Sequence, residues 1–141
     1  MGRFFMLAFC HKILYLKNMK KLILSFLLFL CACTTKAETP VGKVFRMVEP
    51  SQPMEITLSL EADGRFGGKA VNSYFGVYQI NGHEIVLNLQ GHTMMMAPPP
   101  QMEAENDYFK NLNEIKTFEF QNNRLILKGN QTYIFETSDT N

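Results

Sequence analysis

The chain has 141 residues, 14 of them basic and 13 acidic, giving a net charge of +1. That length suits one ordinary domain besides any targeting segment. Its basic residues form no patch of the kind that grips a phosphate backbone, so nucleic acid is excluded as a partner.

The N-terminal third carries an address. Met19-Lys20-Lys21 precedes an apolar run over residues 22–32, 11 residues against the ~20 that a helix needs to cross a bilayer. The run is therefore expected to be the core of a signal peptide, not an anchor. Leu30-Cys31-Ala32-Cys33 resembles a lipobox, with Leu at −3, a small residue at −1, and Cys33 as the residue whose thiol takes lipid before cleavage. Cys31 at −2 is a slight departure. Residues 1–18 fit no ordinary n-region, so the expected start is Met19. The domain reading is a signal peptide over residues 1–32, a lipidated polar tether over 33–40, and a folded domain over 41–138.

Cleavage ahead of Cys33 would leave 109 residues with nine basic and 13 acidic side chains, a net charge of −4. Cys10 and Cys31 would depart with the signal and Cys33 would be blocked by lipid, so no free thiol or bridge is expected in the domain. Thr34 follows Cys33, which leaves the protein free to reach the outer membrane of a Gram-negative host, facing the periplasm.

Ile56, Leu58 and Leu60 alternate, as in a half-buried strand, and end at an Asp63-Gly64 turn. Residues 65–71 continue extended, and Gly67-Gly68 suggests a bulge or bend that curls the sheet. Residues 74–80 and 83–89 form a hairpin across Asn81-Gly82, a pair that tolerates positive φ. Residues 101–113 repeat Ala104, Tyr108 and Leu112 at helical spacing, with Glu103, Glu105 and Asp107 placed toward the positive helix end and Pro98-Pro99-Pro100 stopping anything upstream. Phe118 and Phe120, Leu125 and Leu127, then Tyr133 and Phe135 predict three more strands, separated by Asn122-Asn123 and Gly129-Asn130. The expected fold is mainly β (α+β), a small curved antiparallel sheet or barrel with one packed helix.

Three blocks resemble the META domain, the heat-shock HslJ-like family of small bacterial envelope proteins. They are Asp63-Gly64-Arg65-Phe66 leading to Asn72-Ser73-Tyr74-Phe75-Gly76-Val77-Tyr78, then Thr93-Met94-Met95-Met96-Ala97-Pro98, then the helix with Glu105 and Leu112. The likeness spans residues 42–136. Val71 and Ala97 stand where the family often has cysteines, and Phe45 where it usually has tryptophan. The resemblance implies envelope stress tolerance without established catalysis. If those two positions face each other, the resemblance implies that a family bridge is lost here as one unit.

Asn72, Tyr74 and Tyr78 are the candidate binding residues, grouped where the bend meets the hairpin. Asn72 also suits a turn-capping role through nearby backbone. Tyr74 and Tyr78 share alternation parity, so an inward face would let them line a small cavity. His92, Met94 and Met96 suit copper(I), which takes imidazole and thioether ligands. Core packing weighs more for these methionines, which fill irregular gaps, and at least one of the three is expected inside. His83 and His92 are expected in solvated turns. Ser51, Ser59, Ser73 and Ser138 lie in no nucleophile elbow, so no enzyme activity and no cofactor are expected.

The expected function is that of a lipid-anchored, non-catalytic envelope protein acting through binding or structural support. It would be a monomer, tied to the membrane by lipid and open to an envelope protein partner. One alternative is a carrier of a small apolar ligand, which needs a cavity of roughly 300 Å³. The other is a periplasmic enzyme inhibitor presenting residues 91–101.

Overall fold

The computed structural model describes residues 38–138. The expected signal peptide, Cys33 as the expected site of lipid attachment, and most of the expected tether lie outside the described residues. Eight strands follow in chain order: β1 (Lys43–Glu49), β2 (Thr57–Leu60), β3 (Arg65–Lys69), β4 (Ser73–Asn81), β5 (Glu84–His92), β6 (Thr117–Gln121), β7 (Arg124–Lys128) and β8 (Thr132–Thr137). One helix, α1 (Pro99–Leu112), lies between β5 and β6. Every strand pairs antiparallel with its sequence neighbour, and β1 returns to β8, so the sheet closes into a barrel. Closure removes the two open edges that a flat sheet would expose. The expectation of a mainly β fold with one packed helix is met.

Alternation accounts for the wall. Leu58, Leu60, Phe66, Tyr74, Tyr78, Ile85, Leu87, Leu125, Leu127, Tyr133 and Phe135 all point inward and are buried. Phe45 on β1 is fully buried and meets Phe120 edge-on at 5.9 Å between ring centres. An aromatic ring thus fills the position that the resemblance assigns to tryptophan. The sequence reading assigns no strand over residues 43–49; pairing with both β2 and β8 makes one there.

Two turn assignments move. Gly67 and Gly68 create no bulge, since β3 pairs in unbroken register with β2 and β4. A Cβ on Gly68 would collide with the Thr57 carbonyl and the Tyr74 ring, so this glycine makes room for a buried aromatic side chain. The register shifts fall instead at Met47/Glu49 and Phe75/Gly76. In the β4–β5 hairpin Asn81 pairs with Glu84, which places the turn on Gly82-His83, one residue later than Asn81-Gly82. Gly82 has φ +62° and supplies the positive dihedral at the first central position. At Asn122-Asn123, by contrast, both residues adopt positive φ, at 53° and 61°, as a tight primed turn requires.

The helix begins earlier than its apolar spacing predicts. Pro99 and Pro100 occupy its first turn, where a missing N–H costs nothing, so the prolines start the helix as well as ending what precedes it. The first turn consequently holds no acidic residue, and Glu105 does not serve the helix dipole. Glu105, Tyr108, Phe109 and Leu112 form the buried face. Tyr108 reaches Tyr74 on β4 and Tyr133 on β8, so the helix covers one mouth of the barrel and its rings complete the core.

Candidate functional site

Two polar side chains are fully buried among the described residues, Asn72 and Glu105, each 1% exposed. They meet under the helix. The Asn72 backbone N–H donates to Glu105 Oε1 at 2.6 Å, and Asn72 Nδ2 donates to Glu105 Oε2 at 2.8 Å. Asn72 Oδ1 accepts from the Met95 N–H at 2.5 Å and from the Thr93 hydroxyl at 3.0 Å, while Nδ2 also approaches the Met95 carbonyl at 3.4 Å. One amide therefore joins the β3–β4 turn, the helix and the strand-like segment after β5, with its donors and acceptor lone pairs in use.

That junction steadies an exposed segment. The Thr93 N–H donates to the Ser73 carbonyl and the Ser73 N–H to the Thr93 hydroxyl, so the β4–β5 ladder continues past His92. Beyond it, Met94, Met95 and Met96 are 91%, 53% and 98% exposed. The expectation that at least one of them packs in the core is wrong. The gaps near the helix are filled instead by Tyr74, Tyr108 and Phe109, whose rings pack 5.2 to 5.9 Å apart. Pinning by Asn72 turns the backbone inward and leaves the thioethers outside.

Tyr74 and Tyr78 do share the inner face. The Tyr108 hydroxyl lies 2.8 Å from that of Tyr74, which donates to the Thr57 carbonyl at 2.5 Å. Burial pushes both Tyr74 and Tyr108 above the ordinary phenol range. Tyr78 stands apart toward the Asp63 turn, and its hydroxyl donates to the Glu61 carbonyl at 2.6 Å. There, exposed Asp63 is held below the usual carboxylate range, first by the Arg65 N–H and then by the Arg65 guanidinium. Asn72 and Tyr74 thus each meet α1, through Glu105 and Tyr108 respectively, in separate hydrogen-bond sets, while Tyr78 bonds elsewhere, and the polar groups of all three bond within the protein.

Two open depressions of about 460 and 440 Å³ lie among residues of β6–β8 and the turns beside them, such as Glu119, Arg124 and Lys128. Neither is lined by Tyr74 or Tyr78. Along the barrel axis, buried side chains from Phe45 to Phe135 occupy the space that an apolar ligand would need. His83 and His92 are both exposed, and His92 rests its ring on Phe109 at 5.0 Å.

Glu105 is the residue that sequence reading missed as part of the site. Its signal was present, because 105, 108, 109 and 112 fall on one helical stripe, but a carboxylate on an apolar stripe acquires meaning only beside its partner.

These features define a small eight-stranded antiparallel barrel, capped by one helix, that displays a methionine-rich segment from a buried polar junction. Residues 41–140 match the META domain model, and the chain belongs to that family. Two solved structures share the fold. A protein from Burkholderia xenovorans, solved by NMR, aligns at 21% identity with a TM-score of 0.59, covering 71% of this chain and 84% of the other. A second NMR structure aligns at 22% identity with a TM-score of 0.53, covering 70% and 92%. No curated protein matches the chain.

Proposed function

We propose that this META-domain protein is a lipid-anchored, non-catalytic binding module of the bacterial envelope, and that its working surface is the exposed segment over residues 92–98. The observation that carries the reading is the Asn72–Glu105 junction. A buried carboxylate is costly unless hydrogen-bonded, and here both of its oxygens bond to a residue that holds Thr93 and Met95 in place. The buried pair thus positions a segment whose methionine side chains touch little of the protein.

Chemistry at this mouth favours binding over catalysis. Both Glu105 oxygens are engaged, and burial keeps the Tyr74 and Tyr108 hydroxyls protonated, so none of these three buried side chains offers a free base or an activated nucleophile. The envelope address rests on the lipobox-like Leu30-Cys31-Ala32-Cys33, and the role in stress tolerance on the resemblance to the HslJ-like family. An inhibitor-like use of the same segment remains compatible with its position, although α1 takes up Pro99 and Pro100 and shortens the free loop.

Two measurements test the proposal. A single acyl chain holds a protein on a membrane only marginally whereas two or more hold it stably, so Cys33→Ala should give a folded protein in the soluble periplasmic fraction that no longer incorporates labelled palmitate. A variant that stays in the membrane fraction would refute the anchor. Capture from envelope extracts should yield a partner that is lost when residues 93–97 are replaced by Gly and Ser; capture unchanged by that replacement would refute the working surface.

A further inference from the structure

We propose that His92, Met94 and Met96 form a binding site for copper(I) on the solvent-exposed rim of the segment that Asn72 holds. The inference rests on reading residues 92–98 as the working surface and names the ligand class of that surface.

The first support is geometric. The Thr93 N–H points to the Ser73 carbonyl and the Met95 N–H to the Asn72 side chain, so alternate amides face the barrel wall as they do in an extended chain. In such a chain residues 92, 94 and 96 share a face, and Met95 falls on the other. At ~3.3 Å per residue the Cα atoms of His92 and Met96 stand about 13 Å apart, a gap that two long side chains close over Met94 between them. With 91% and 98% of their surface in solvent, the Met94 and Met96 side chains can swing to a shared ion without unpacking anything.

The second support is the imidazole. His92 Nδ1 lies 2.8 Å from the Thr93 carbonyl, and a carbonyl can only accept, so Nδ1 carries the proton and Nε2 carries the lone pair. A histidine whose other nitrogen donates to a backbone carbonyl is the usual arrangement behind a metal ligand, because it fixes both tautomer and ring direction. Phe109 supports one side of the ring at 5.0 Å.

The third support is the donor set. One imidazole and two thioethers are soft and neutral, and residues 91–102 hold no Asp, Glu, Lys or Arg. Such a set suits a soft monovalent ion and offers nothing to calcium or magnesium, which take oxygen ligands. Exposure also removes the competing account, since a methionine that fills a core gap cannot stand almost wholly in solvent.

The test is a titration of copper(I) into the full-length protein, purified in detergent under anaerobic reducing conditions, against a chromogenic competitor. One ion should bind per chain with a sub-micromolar Kd. The double variant Met94→Leu/Met96→Leu should weaken binding by about 100-fold, because Leu keeps the volume and removes the sulfur. Met95→Leu should bind as the parent does. Silver(I), a soft surrogate, should shift the methyl resonances of Met94 and Met96 and leave that of Met95 in place. Retention of binding in the double variant, equal loss in Met95→Leu, or affinity weaker than about 10 μM would overturn the site. A protein that stays membrane-anchored and captures a partner without binding copper(I) would overturn the metal site alone.

Discussion

Asn72 shows how one side chain can hold three segments together. Replacing it with Ala would strip Glu105 Oε2 of its Asn72 partner and leave the Met95 N–H and Thr93 hydroxyl unpaired by that amide. An unsatisfied buried polar group costs about 1–3 kcal/mol, and more when charged. Asn72→Ala should therefore lower stability by roughly 3 kcal/mol in urea unfolding. Glu105→Gln, which keeps an acceptor for the Asn72 N–H, should cost roughly half as much. No loss in Glu105→Gln would mean that the carboxylate contributes nothing beyond its shape. At this scale Asn72 was legible in the sequence as a residue that bonds local backbone, whereas its principal partner lies 33 positions away and could not be read from spacing.

Elements obeyed the sequence wherever a local rule governed them. Period-two alternation placed β2, β6, β7 and β8, and paired asparagines placed the β6–β7 turn, because pleating and positive φ are properties of a few adjacent residues. Errors arose where a distant neighbour decided. Gly68 makes room for Tyr74, and β1 becomes a strand through partners at both ends of the domain. The pairing implied for Val71 and Ala97 belongs to this scale. Asn72 and Met95 bond side by side, so the β3–β4 turn lies against the segment that leads to Ala97. Val71→Cys/Ala97→Cys closes a loop of about 26 residues, and the chain-entropy model gives about 3–4 kcal/mol when oxidised. The oxidised variant should resist urea beyond the parent and the reduced one should match it. Failure to oxidise would show that the two Cα atoms lie beyond the roughly 7 Å that a disulfide spans.

Across the whole molecule, the aromatic junction of β4, α1 and β8 links stability to alkaline pH. Burial raises Tyr74, Tyr108 and Tyr133 above the ordinary phenol value. Below about pH 10 both folded and unfolded chains keep these protons and stability is full. Above it the unfolded chain releases them first, so stability falls as pH climbs toward the raised folded values. Tyrosinate absorbance should accordingly rise together with loss of the circular dichroism of the barrel. Full ionisation of all four tyrosines of the domain while the fold persists would contradict this burial.

By itself the sequence determined the META family, the mainly β architecture and the single helix, because each is written in short-range spacing or in a contiguous motif. Tertiary structure alone decided that the sheet closes through β1 and β8, that Glu105 turns inward to meet Asn72, and that the methionines stand outside. Burial depends on what arrives from elsewhere in the chain. Once Tyr74, Tyr108 and Phe109 fill the mouth under the helix, no room is left for Met94 or Met96, and Asn72 holds their backbone at the rim with both thioethers in water.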